Sequence, residues 1–160
     1  MSIRPANFRD IPAMLEVLRD SHARSIYEGR AALNEKESKA LFVRSIQRHG
    51  NKSAGGTIVY VSEKVDGLVH GFMIGHLSRL YHVLDGLMAT DLFLLMKQSG
   101  DPRDASRLLD ALIEWGEANP KVVEVKLGIT NAVGDFRRTE RLYRRKGLAQ
   151  SGMMFERRVR

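Results

Sequence analysis

Apolar positions fall into two rhythms along the chain. At three- and four-residue spacing they mark helices: Ile11, Met14, Leu15 and Leu18; then Leu41, Phe42 and Ile46; and most regularly Ala105, Leu108, Leu109, Leu112, Ile113 and Gly116. Elsewhere they alternate or run together, as strands do. Thr57 to Glu63 is β-branched and aromatic. Leu87 to Met96 carries too many apolar residues to face water on either side and is predicted to be central in a sheet. In Val122 to Leu127, Val123, Val125 and Leu127 share one side, with Glu124 and Lys126 on the other. Ser2 to Ala6 reads as a short opening strand, and Met153 to Phe155 as part of a closing one.

Turn and cap residues punctuate this pattern. Asp10 is predicted to cap the first helix, with Pro12 in its first turn. Asn34 with Glu37 three residues on resembles a capping box. His49 to Gly56 reads as a loop, and Asp66-Gly67 as a tight hairpin turn whose return strand starts near Leu68. Asp101-Pro102 opens the clearest helix and Pro120 stops it; Phe136 to Lys146 is another helix, ended by Gly147. The order is β-α-α-β-β-β-α-β-α-β. It predicts a mixed α/β sheet with helices on both faces and a crossover between parallel strands. No repeat or long linker interrupts it, so residues 1–160 are expected to form a single domain with one core.

Composition narrows the chemistry. The chain has no cysteine, which excludes disulfides, thiolate catalysis and Cys-based zinc sites. No histidine pair has metal-ligand spacing, so no metal is expected. The longest apolar run, Leu92 to Met96, is far too short to span a bilayer, and the first residues lack the apolar stretch of a secretory signal. A cytoplasmic location without membrane association is expected. The net charge is +7, with much of it late in the chain at Arg137, Arg138, Arg141, Arg144, Arg145, Lys146, Arg157, Arg158 and Arg160. Such charge suits a solvated face, an acidic partner, nucleic acid or an anionic cofactor.

The element order, the opening Ile3-Arg4-Pro5-Ala6 with Asp10-Ile11, and the segment from Asn131 to Leu148 together resemble the GNAT acyltransferases. Asn131, Tyr143, Gly147 and Leu148 fall in order on that family's N-x-x-A-x-x-x-Y-x-x-x-G-F segment, with five additional residues between Asn131 and Tyr143. The resemblance implies a mostly antiparallel sheet with one splayed parallel strand pair. It also implies acetyl-CoA or another acyl-CoA as cofactor, and a small-molecule or protein amine as acceptor. By the resemblance, Tyr143 is the general acid, Asn131 contacts the pantetheine arm, and the backbone of Leu94, Leu95 and Met96 holds that arm. The family's diphosphate loop, R/Q-x-x-G-x-G/A, falls on Gly100 to Ala105, where Ala105 alone matches. Gly100, Arg103, Asp104, Ala105 and Ser106 are the candidates there, and the mismatch predicts weakened affinity or altered geometry.

Attack of an amine on a thioester needs a neutral amine, a held carbonyl and a protonated leaving thiolate. An alkyl ammonium ordinarily titrates at about 10.4, so a base helps at neutral pH. Asp91, just before the apolar run, is the first candidate base; His76 and His82 are alternatives that could equally face the acceptor. Tyr27 and Glu28, between the first two helices, are the other acceptor-site candidates, while His22 and His49 read as peripheral. Two further readings remain: a GNAT-like domain with weakened catalysis that binds CoA or a partner, and, ranked well below, a basic nucleic-acid-binding protein. A homodimer is left open.

Overall fold

The computed structural model describes residues 2–159. Five strands and four helices alternate as β1 (Ser2–Pro5), α1 (Ile11–Ala23), α2 (Glu35–Gln47), β2 (Thr57–Glu63), β3 (Val69–Arg79), β4 (Leu87–Met96), α3 (Pro102–Glu117), β5 (Val122–Lys126) and α4 (Phe136–Arg145). The strands lie in sequence order in one sheet. The first three pairings are antiparallel, and β4 pairs with β5 in parallel, α3 forming the connection.

The alternation of side chains along each strand divides the core into two layers. On one face Val59, Val61, Phe72 and Ile74 pack against Met14, Leu15 and Val17 of α1 and Phe42 of α2. Phe72 meets Phe42 and Phe93 edge-on at 5.3 and 6.0 Å. On the other face Ile58 and Met73 pack against Leu108 and Leu112 of α3. Gly116 lets α3 come close: a Cβ there would meet Val125 at 2.7 Å and Ala89 at 3.0 Å. The hairpin turn forms at Gly67, whose φ of 80° suits glycine. Asn34 and Asp101 cap α2 and α3 by accepting the N–H groups of Glu37 and Arg103.

A buried polar pair pins α3 to the sheet. Asp104, only 1% exposed, accepts a hydrogen bond from the Ser62 hydroxyl at 2.6 Å and one from Arg107 at 3.1 Å. Asp104→Ala leaves Ser62 unsatisfied in the interior. It is expected to cost roughly 2–3 kcal/mol and lower Tm by about 5–10 °C in thermal unfolding.

Three expectations change. Asp10 stands before α1 in helical conformation and makes no side-chain cap bond. Its carboxylate instead closes the short turn Phe8–Asp10, accepting the Asn7 N–H at 2.8 Å and both terminal nitrogens of Arg4 at 2.8 and 2.9 Å. A guanidinium fork is a stronger partner than a helix N–H. The anticipated closing strand does not form: Met153, Met154 and Phe155 are 76, 81 and 91% exposed and lie outside any ladder. An apolar pattern is a local signal, but a strand persists only as half of a ladder. Finally, β4 is central as expected, yet its second half is only partly covered, with Leu92 42% exposed. The arrangement around that half is the reason.

Candidate functional site

The parallel pairing of β4 with β5 runs from Leu87↔Val122 to Thr90↔Lys126 and stops. β5 ends at Lys126, while β4 continues to Met96 in register with β3. The two strands therefore form a fork, with one edge of β4 unpaired by strand from Asp91 onward. The Lys97 N–H donates toward β3, to the His70 carbonyl, whereas the Met96 carbonyl accepts from Arg24 on the fork side. By the alternation of an antiparallel ladder, the backbone of Leu94 also faces the fork, while Leu95 is directed to Phe72 in β3.

A bulge aims the residue at the crotch. Ile74 pairs with Phe93 and Gly75 with Asp91, so Leu92 is an extra residue in β4. The Asp91 carboxylate accepts the Gly128 N–H at 3.1 Å, just beyond β5. The Tyr143 hydroxyl reaches the carbonyl of the same Gly128 at 3.5 Å, the outer limit of a hydrogen bond. Tyr143 is 8% exposed. It is held there because Asp135 caps α4 and Lys146 ties the helix to Asp110 of α3 at 2.6 Å.

The electrostatics of this trio follow from its burial. Burial pushes the Asp91 carboxyl up, against the Gly128 N–H, its own backbone N–H and the nearby His76. Burial, and then the charge of Asp91, hold the Tyr143 phenol well above its ordinary range, so it stays protonated. Burial pushes His76 down, opposed by Asp91, and its Nδ1 has no hydrogen-bond partner among the described residues. Asp91 thus stands within electrostatic reach of both His76 and Tyr143, and a carboxyl and a protonated phenol meet the N–H and the carbonyl of the one residue Gly128.

Beside the fork, Thr90 pairs with both His76 and Lys126. The Lys126 ammonium lies 5.2 Å from the Tyr81 ring and 3.1 Å from Glu124. Tyr81 and His82 both adopt left-handed backbone, φ 47° and 62°, and His82 is exposed. Two such residues in succession are strained, and the turn they make sets Tyr81 over Lys126. Tyr27 and Glu28 lie in the α1–α2 connection. Glu28 helps line a groove of about 600 Å³ with Arg19, His22 and Arg30, and His22 lies 3.0 Å from Glu28. Asn131 is exposed in the connection between β5 and α4.

The start of α3 is occupied by its own side chain. Asp101 accepts the Arg103 N–H at 2.8 Å, the Asp104 N–H goes to the Asp101 carbonyl at 3.0 Å, and Pro102 has none to give. The Asp104 carboxylate points inward to Ser62, away from this opening. Gly100 packs close to Met96, and Ala105 and Ser106 are half-buried in the first turns. Sequence reasoning did not find Gly128, Lys126 or Tyr81. The charge alternation of Glu124 and Lys126 is the one local sign, and it reads equally well as an ordinary solvated strand face.

Among the described residues, no group of three or more His, Asp or Glu is placed to hold a metal, and no helix is long and apolar enough to cross a membrane.

No protein-family model matches the chain, and no curated protein matches it by sequence. Solved structures do match. The BH1408 protein from Bacillus halodurans, as a tetramutant, superimposes with a TM-score of 0.73 at 17% identity over 99% of this chain and 100% of that one. AAC(6')-Iy in complex with the bisubstrate analog CoA-S-monomethyl-acetylneamine gives 0.69 at 14% over 99% and 97%. Glucosamine-6-phosphate N-acetyltransferase from Arabidopsis thaliana gives 0.65 at 10% over 99% and 98%. At such identities the likeness is one of fold: the chain has the GNAT fold across essentially its whole length.

Proposed function

We propose that this chain transfers an acyl group, acetyl in the simplest case, from an acyl-CoA to an amine. The observation that carries the reading is the fork, with Asp91 and Tyr143 converging on Gly128 where β4 and β5 part. The backbone edge of Leu94 and Met96 fits an amide-bearing arm, since it presents groups for ladder-like hydrogen bonds. Bound acyl-CoA supplies an activated thioester and, after transfer, a thiolate. Asp91, with its carboxyl pushed up by burial, is suited to accept the proton of the incoming ammonium. Tyr143 holds a proton at its hydroxyl and can release its long contact with Gly128 to hand it to sulfur, the phenol being restored by the second proton that the new amide nitrogen sheds. Held well above its ordinary range, it is a weak donor, so its share of the acceleration is small. Positioning in the fork supplies the remaining acceleration. Glu124, Tyr81, His76 and the groove at Glu28 are the surfaces available to the acceptor. Two of the neighbours, an N-acetyltransferase and a protein bound to a CoA-based bisubstrate analog, favour the same class of reaction.

The self-capped start of α3 favours a second reading, a GNAT-fold domain that binds CoA weakly and turns over slowly. Thermal shift with acetyl-CoA separates the two readings. A ligand at a hundredfold excess over its Kd stabilises by about 2.7 kcal/mol, so an unmoved Tm at millimolar acetyl-CoA excludes a Kd of about 10 μM or below and overturns the first reading. Where turnover is found, Tyr143→Phe is expected to reduce kcat roughly tenfold. That is less than the usual 10²–10⁴ of an acid catalyst, because a thiolate already leaves readily. An unchanged kcat across pH removes Tyr143 from the chemistry.

A further inference from the structure

The end of α1 and the residues after it cross the open side of the fork. The Arg24 guanidinium donates to the Met96 carbonyl at 2.9 Å, at the end of β4. The Asp20 carboxylate accepts the Gln98 N–H at 3.3 Å in the β4–α3 connection, and the Ile26 N–H donates to the Ala132 carbonyl at 2.9 Å in the β5–α4 connection. One short stretch thus holds backbone groups on both prongs. Within it, a single oxygen of Asp20 accepts from Gln98 and from Arg24, at 3.0 Å from Nε and 2.6 Å from Nη2. A carboxylate oxygen between a loop N–H and a guanidinium is placed as a phosphate oxygen would be.

We infer that Asp20 is an internal competitor: in the free protein it occupies an anion seat, made by the Gln98 N–H and Arg24, that the diphosphate of an acyl-CoA takes when Asp20 swings aside. The inference rests on the function proposed above for its ligand, though the seat itself is a matter of geometry. It follows from the closed start of α3, too. With the Arg103 N–H taken by Asp101, Gln98 offers an alternative amide in the same connection. A guanidinium matches phosphate in a fork and gains from a diphosphate over a carboxylate through the larger charge. Asp20 and Arg24 are each about one-third exposed as side chains, so the exchange needs side-chain rotation and no disruption of the core. Displacing Arg24 from Met96 also frees the carbonyl that the fork offers to the pantetheine arm.

The test is isothermal titration of inorganic pyrophosphate, and separately of acetyl-CoA, into the full chain and three variants. Asp20→Ala is expected to tighten both ligands by about fivefold, the lower end of ordinary coupling between linked sites. Arg24→Ala is expected to weaken both. Asp85→Ala, which removes an equal charge from a fully exposed position paired with Arg79, is expected to change neither. Asp20→Asn, which keeps the shape and an acceptor oxygen, tightens in the same direction but less, and it serves if Asp20→Ala fails to fold. Equal affinities for Asp20→Ala and wild type, or equal gains for Asp85→Ala, overturn the seat. Acetyl-CoA binding that ignores Asp20 sinks the seat and spares the transferase reading. Tighter pyrophosphate binding, with no acetyl-CoA bound by any form, does the reverse.

Discussion

Asp91→Asn is expected to slow acyl transfer about a hundredfold or more at neutral pH, the usual scale for losing a general base. The substitution is close to isosteric, and an amide oxygen can still accept the Gly128 N–H, so the crotch of the fork keeps its shape. What disappears is the ability to take a proton. In the wild type, burial raises the Asp91 carboxyl above its ordinary range, so the rate should rise with pH as that carboxyl ionises. The variant should lose this limb while its KM for acetyl-CoA stays near the wild-type value. The measurement is thiol release against pH with a panel of amines. Full activity in Asp91→Asn would move the base elsewhere, to His76 or to water.

Asp10→Ala is expected to destabilise the fold by roughly 3 kcal/mol, the sum of a charge-assisted fork and a turn hydrogen bond, with Arg4 keeping its second partner Glu63 at its part-exposed position. Asp10 is 7% exposed, and its loss strips Arg4 of two hydrogen bonds and opens the turn at Asn7. In thermal unfolding this amounts to about 6–12 °C. The pH dependence fixes the cause. Burial pushes the Asp10 carboxyl up, but Arg4 and the Asn7 N–H outweigh it, so the folded-state value is lowered. The stabilisation is then complete above the unfolded carboxylate value of about 3.9 and is lost as pH falls below it. The gap between wild type and variant should therefore narrow as pH falls below about 4 and close once pH passes the lowered folded-state value. A gap that persists there would assign the effect to packing.

The middle of the chain was legible because its signals are local. Asp66-Gly67, the β-branched run of β2 and the Asp101-Pro102 start of α3 act within a few residues, and the elements follow from them. Asp10 carries a local signal too, but Arg4 offers it something stronger, and tertiary electrostatics won. At Met153 to Phe155 the pattern asked for a ladder partner that no pattern can supply. The candidate site divides the same way. Asp91 and Tyr143 were visible as residue types in suggestive places. Their meeting at Gly128 depends on where two strands stop pairing, which no window of sequence contains. The Arg24 and Asp20 contacts join positions 72 and 78 residues apart, and the left-handed backbone at Tyr81 and His82 carries no glycine to announce it.

The extra residue at Leu92 uncouples the two ends of β4. From Phe93 onward the side chains pack into both layers of the core; before it Leu87 and Ala89 are buried in a cluster of their own, and Asp91 turns to the crotch of the fork. Because the inserted position absorbs the change of phase, either end can accept new residues without rotating the other. Changes confined to Thr90 and Asp91 would therefore alter what the cleft presents while Leu87 and Ala89 keep their places in the core.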